Sequence, residues 1–142
     1  MSFKYEAQLI EEKFNTAWGN TTPIEWDNVD YNPTAGTSYV KFTIVNGNST
    51  IAGIGGSSNM HRIRGLISIN VFTALNTGSR SGRELVDQAA AIFREAQISN
   101  SDSSSAEDMT IFCGAGNITR IGKVEDWFVY NVTVPFYRNE IF

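Results

Sequence analysis

"GLISINVFTALNTGSRSGRELVDQAAAIFREA", residues 65–96, changes its hydrophobic period half-way along. As far as Leu75 the apolar residues alternate, as on a strand with one face buried; from Gly82 onward they return at steps of three and four, as on a helix. Six residues, Asn76 to Ser81, separate the two. The spacing predicts a helix over about 82–97 with Leu85, Ala89, Ile92, Phe93 and Ala96 on its buried stripe. Ser81 with Glu84 three residues on has the pattern of a capping box, whose two side chains satisfy orphan backbone N–H groups. The strand ahead of the helix is long, with Ile63, Gly65, Ile67, Ile69, Val71, Thr73 and Leu75 sharing one face. At about 3.3 Å per residue it spans roughly 40 Å, more than the core of a small domain requires. Part of it is expected to project.

Working outward from there, residues 3–18 place Phe3, Ala7, Ile10, Phe14 and Ala17/Trp18 on one stripe and read as a first helix, stopped by Gly19-Asn20. "TTPIEWDNVDYNPTAGTS" (21–38) carries Pro23 and Pro33 and reads as an extended loop that packs Ile24, Trp26 and Tyr31. "SYVKFTIV" alternates Val40, Phe42 and Ile44 against Tyr39, Lys41 and Thr43, a half-buried strand closed by the turn signal Asn46-Gly47-Asn48. The Gly/Ser-rich residues around 53–60 suggest a hairpin tip. After the second helix, "SNSDSSSAED" (99–108) reads as a polar exposed loop. "MTIFCGAGNITRIGKVE" reads as a strand broken at Gly114 and Gly116. In "DWFVYNVTVPFYR", Phe128, Tyr130, Val132, Val134 and Phe136 oppose Trp127, Val129, Asn131 and Thr133. Pro135 has no N–H for a ladder and predicts that this last strand ends near it or lies at an edge.

The element order α, β, β, β, α, β, β within 142 residues predicts one domain over 1–142. Its expected class is α+β: a mostly antiparallel sheet of about four to five strands with a long projecting hairpin, and two helices packed on one face. A chain of this length buries about 68–70% of its unfolded surface and needs no staple. Its one cysteine, Cys113, lies in an apolar run and reads as a buried structural thiol. The N-terminal residues carry acids where a signal peptide carries bases, and no 18-residue apolar stretch exists, so neither secretion nor a membrane span is expected. The Asn-x-Ser/Thr sequons at Asn20, Asn48, Asn117 and Asn131 are then incidental.

Reactive chemistry is scarce. The one histidine, His61, stands in the Gly/Ser-rich loop without a second His or Cys nearby to make a metal set. "GIGG" (53–56) and "CGAG" (113–116) lack the Lys-Ser/Thr of a phosphate loop and open no helix. The acid pairs Glu11/Glu12, Glu25/Asp27, Glu107/Asp108 and Glu125/Asp126 fall on polar faces or turns. No enzyme and no cofactor are expected. A net charge of −4 argues against a surface built to grip phosphates. What the chain does offer is contact surface: the long hairpin, a last strand apolar on both faces, and the C-terminal "RNEIF". Such strands are either sandwiched within the domain or completed by another subunit.

The succession "IEWDNVDYNP", "SYVKFTIVNG", "RIRGLISINVFTALNTGSRSGRELVDQAAAIF" and a terminal β-hairpin resembles the tail terminator-like proteins of long-tailed bacteriophages, over nearly the whole chain. The resemblance rests on element order and apolar pattern and is most specific at Pro23-Ile24-Glu25-Trp26 and at 64–93. It implies a structural virion protein at the head-proximal end of the tail, assembled in the host cytoplasm. Such proteins form a ring, usually a homohexamer, that caps the tail tube, stops its elongation and docks the head-completion protein of the neck. Partners would be further copies of the chain, the tube protein and the neck protein, with genomic DNA only passing through the bore and no membrane. On this reading Arg62, Arg64, Arg80, Arg83, Phe136 and Phe142 are expected at subunit contacts. Gly53, Gly55, Gly56, Asn59 and His61 are expected to face the bore or an axial partner. Two rival readings are another neck or tail component, such as a head-completion or tail-tube subunit, and a small-ligand or glycan-binding module stacking on Trp26, Tyr31 and Trp127.

Overall fold

The computed structural model describes residues 3–53, 60–99 and 110–141, which form nine elements. In chain order these are α1 (Phe3–Trp18), β1 (Ile24–Trp26), β2 (Tyr39–Ile51), β3 (Met60–Ala74), α2 (Arg80–Phe93), β4 (Gln97–Ser99), β5 (Thr110–Cys113), β6 (Asn117–Val124) and β7 (Trp127–Ile141). The strands join in the order β1-β2-β3-β7-β5-β4, and β6 lies alongside β7 on the same edge as β5. β1 runs parallel to β2; the other pairs are antiparallel. This corrects the expected class: the described residues are mostly β, with 49% of them in strands, and the sheet is a curled mixed sheet of seven strands, not an α+β sheet of four to five. The added strands are short. β1 and β4 have three residues each, too few to show a period, and lie in stretches whose Pro or Ser content reads as loop.

Three boundaries also move, each for a local reason. At Asn46–Ser49 the expected turn is a bulge, and β2 continues to Ile51 against β3. The capping box does not form: α2 starts at Arg80 with Ser79 as its N-cap residue and no side-chain cap bond, which leaves Ser81 and Glu84 inside the helix. Its buried residues are Gly82, Val86, Ala89, Ala90 and Phe93, while Leu85 and Ile92 are half-buried. β7 passes straight through Pro135. The Pro135 carbonyl accepts from Gly114 N–H at 2.8 Å, so its missing N–H faces the gap where the neighbour changes from β6 to β5. No bond to β3 is lost, because successive residues of an antiparallel strand address opposite neighbours.

Register then assembles the core. Val40 lies opposite Val71, Phe42 opposite Ile69, and Ile67, Ile69 and Val71 face Val134, Val132 and Tyr130 of β7. Both helices pack on this face: Phe14 of α1 meets Phe42 at 4.8 Å, Trp18 at 5.3 Å and Phe93 of α2 at 6.1 Å between ring centroids. Each buried phenylalanine contributes about 1.5–3 kcal/mol relative to exposure. On the opposite face Tyr39 stacks on Phe72 at 4.6 Å, meets Trp127 edge-on and touches Tyr31 of the loop before β2. That cover buries Val129, so Val129 and Tyr130, on opposite faces of β7, are both hidden within one chain. At this end the closing strand needs no second subunit.

Candidate assembly surfaces

Large apolar side chains left exposed fall into separate groups. Val45 (49%), Ile51 (65%) and Met60 (40%) lie on the distal part of β2 and β3. Ile118 (47%), Ile121 (47%) and Val124 (41%) lie on β6, whose outer backbone edge is unpaired among the described residues. Phe3 and Tyr5 stand at the start of α1, and Val29 on the loop after β1. Exposed β-branched residues beside an open strand edge are the usual substrate of strand-to-strand association.

The residues expected at subunit contacts are not gathered into one site. Arg62 and Arg64 are near the start of β3: the Arg62 guanidinium lies 4.7 Å over the Tyr137 ring and its Nε donates to Asn139 at 3.1 Å, whereas exposed Arg64 reaches Thr50 at 3.4 Å. Arg80 and Arg83 are at the other end of that strand, exposed on the first turn of α2. Phe136 is 3% exposed in the single chain, and its ring covers Gly65 on the core face. Gly53 is half-buried beside Met60, and half-buried His61 sits in β3 in register with Ile51 and Glu140. Gly55, Gly56, Asn59 and Phe142 lie outside the described residues.

Three clusters escaped the sequence reading. In the first, Arg83 lies 5.9 Å over Tyr130 and Arg120 of β6 lies 5.1 Å over Phe128, while Phe128 and Tyr130 are 5.4 Å apart. Such cation–π contacts are worth about 0.5–1 kcal/mol at exposed sites. Lys123 is directly opposite Phe128 in the β6/β7 register, and none of these cations has an ion pair among the described residues. The second is a cleft of 220 Å³ lined by Glu11, Glu12, Asn15 and Trp26 at the β1 end of the sheet. Burial and the nearby charge of Asp27 push the Glu11 carboxyl above its usual range. In the third, buried Arg138 donates Nε to Glu6 of α1 at 2.8 Å and Nη1 to Glu140 at 2.5 Å. Burial works against the charged forms of Arg138 and Glu140, but the hydrogen bonds between them prevail, holding the guanidinium's affinity up and the Glu140 carboxyl below its ordinary value.

A family profile described as "Phage tail terminator protein" matches residues 7–136. The chain belongs to the phage tail terminator family. Its role is thus that of a structural protein of the bacteriophage virion tail, in a family that is not enzymatic. No curated protein matches the chain. One solved structure, whose title states no function, superposes with a TM-score of 0.67 over 93% of this chain and 94% of its own at 15% identity, a likeness of fold alone.

In this terminator-family chain the rival ligand site loses its geometry. Trp26 packs edge-on against Phe14 and Phe42 on the helix side of the sheet, whereas Tyr31 and Trp127 pack on Tyr39 on the other. They form no common stacking platform. Among the described residues no group of His, Cys, Asp and Glu is placed to hold a metal, and no helix is long and apolar enough to cross a membrane. Cys113 is buried, and its burial pushes the thiol up to about 11, Lys13 opposing only in part. At pH 8 the thiolate is then roughly one part in a thousand. A thiol reagent at that pH should leave the native protein unlabelled for hours and label it within minutes in denaturant; rapid native labelling would show Cys113 to be accessible.

Proposed function

We propose that the chain assembles as a closed ring, a homohexamer, that caps the tail tube, halts its elongation and presents the docking surface for the head-completion protein of the neck. The observation that carries this reading, beside family membership, is that one chain bears unlike apolar patches on separate strand edges, at β6 and on distal β2/β3. Patches set that far apart serve different partners: one taken up in a head-to-tail contact between identical copies closes a ring when the rotation allows, and the other is left for an axial partner. Arg62, Arg64, Arg80 and Arg83 stand near those contacts in this reading, and Gly53 and His61 face the bore or an axial partner. The net charge of −4 suits passage of DNA, since a basic lining would trap it.

Purified protein is expected to give one discrete mass of six chains on native mass measurement and closed rings of fixed thickness in negative stain. Filaments lengthening with concentration would identify a tube subunit instead. A monomer at high concentration would end the reading.

A further inference from the structure

The two charged aromatic clusters have opposite sign and occupy different ends of the sheet. On the β6 side, Arg83 and Arg120 lie over the Phe128–Tyr130 ring pair and Lys123 stands opposite Phe128, with Ile118 and Ile121 beside them on the free edge. At the β1 end, Glu11, Glu12 and Asp27 surround the half-buried Trp26 ring, in a cleft large enough for one long side chain. Both clusters sit on the side of the sheet that carries the helices: Arg120 and Lys123 share the register positions of Tyr130 and Phe128, and Trp26 shares that of Phe42. Neither charge set is neutralised by an ion pair among the described residues. The β6 edge also carries a bulge between Arg120 and Gly122, which with its two cations obstructs indiscriminate strand addition.

We propose that ring closure is a contact between these two surfaces, the cationic β6 edge of one copy seating against the acidic Trp26 cleft of the next. The occupant is a second copy because only such a contact satisfies both clusters at once. Like-to-like pairing sets cation against cation or acid against acid, so charge directs each cluster to the unlike one of a neighbour, a contact that repeats head to tail around a closed ring. Burial and, after it, the Asp27 charge disfavour the Glu11 carboxylate; an incoming Arg120 or Lys123 offsets both, and the same side chain gains the Trp26 face. The proposal rests on the ring reading but fails separately from it.

Two charge-reversed proteins test it: Arg120→Glu with Lys123→Glu, and Glu11→Lys with Glu12→Lys. All four positions are exposed or half-buried, so each variant should keep the wild-type circular dichroism. Native mass measurement should show that neither associates with itself, and that a one-to-one mixture associates in strict alternation, its strength falling as salt rises. Rings formed by either variant alone, or a mixture that stays dissociated, would overturn this placement while leaving wild-type rings in evidence. A wild type that forms no ring would overturn the parent reading instead. Variants that keep their rings but lose retention on DNA would assign the cations to nucleic acid and also overturn it.

Discussion

Replacing Arg138 by methionine should cost the fold about 3–5 kcal/mol, the largest single effect expected of a point change here. Arg138 is 2% exposed on the core-facing register of β7, and Glu6, its partner across 132 residues, is 1% exposed. Methionine keeps the length but leaves the Glu6 carboxyl buried without its cation. For a domain near this size that loss corresponds to a Tm lower by roughly 10–15 °C in calorimetry. The companion double variant, Glu6→Leu with Arg138→Met, should recover most of the deficit, because a shape-matched apolar pair carries no desolvation cost. A single variant as stable as wild type would mean that water already reaches the pair. Acid supplies a second readout. Folded Glu140 holds its charge to lower pH than unfolded Glu140, so as pH falls below the ordinary carboxylate value of about 4.5 the unfolded chain binds the proton first. Wild-type stability should decline across that window, and Arg138→Met should flatten the decline.

That pair also marks how far the sequence could be read. α1 was legible because Ile10, Phe14 and Trp18 repeat at four, and β3 because seven alternating residues leave no other period. The same arithmetic pointed at the ion pair: Glu6 extends the Ile10-Phe14-Trp18 row by one step of four, and Arg138 extends Val132-Val134-Phe136 by one step of two. Opposite charges continuing two apolar stripes are a signal, and it was masked by Phe3, which fits the helical stripe yet is 56% exposed. Other features had no local signal. The β6 patch depends on Arg83 and Arg120 meeting over rings from a third element, and the acidic cleft on α1 meeting a three-residue strand in a proline-rich stretch. Parity within a segment says which face a residue takes; it says nothing about which distant segment will cover that face.

Gly65→Val should be the second large loss, about 3 kcal/mol, and it tests the element that decides the fold. Gly65 stands directly across from Phe136 on the core face, where every other β3 residue from Ile63 to Thr73 carries a side chain. A Cβ at Gly65 would lie 2.4 Å from Phe136 Cζ, 2.7 Å from its Cε1 and 3.0 Å from the Val45 carbonyl. The first two contacts demand that a ring only 3% exposed move, and the third is backbone, which has nowhere to go. β-propensity alone argues the other way, since valine suits a strand better than glycine by up to about 1 kcal/mol. The sign of the measured change therefore separates packing from propensity. If packing rules, adding Phe136→Ala to Gly65→Val should cost far less than the two separate losses added together, a coupling that a double-mutant cycle in urea would read directly. Additive losses would show that the Phe136 ring does not lie over Gly65, and that the alternating face of β3 is covered by some other arrangement.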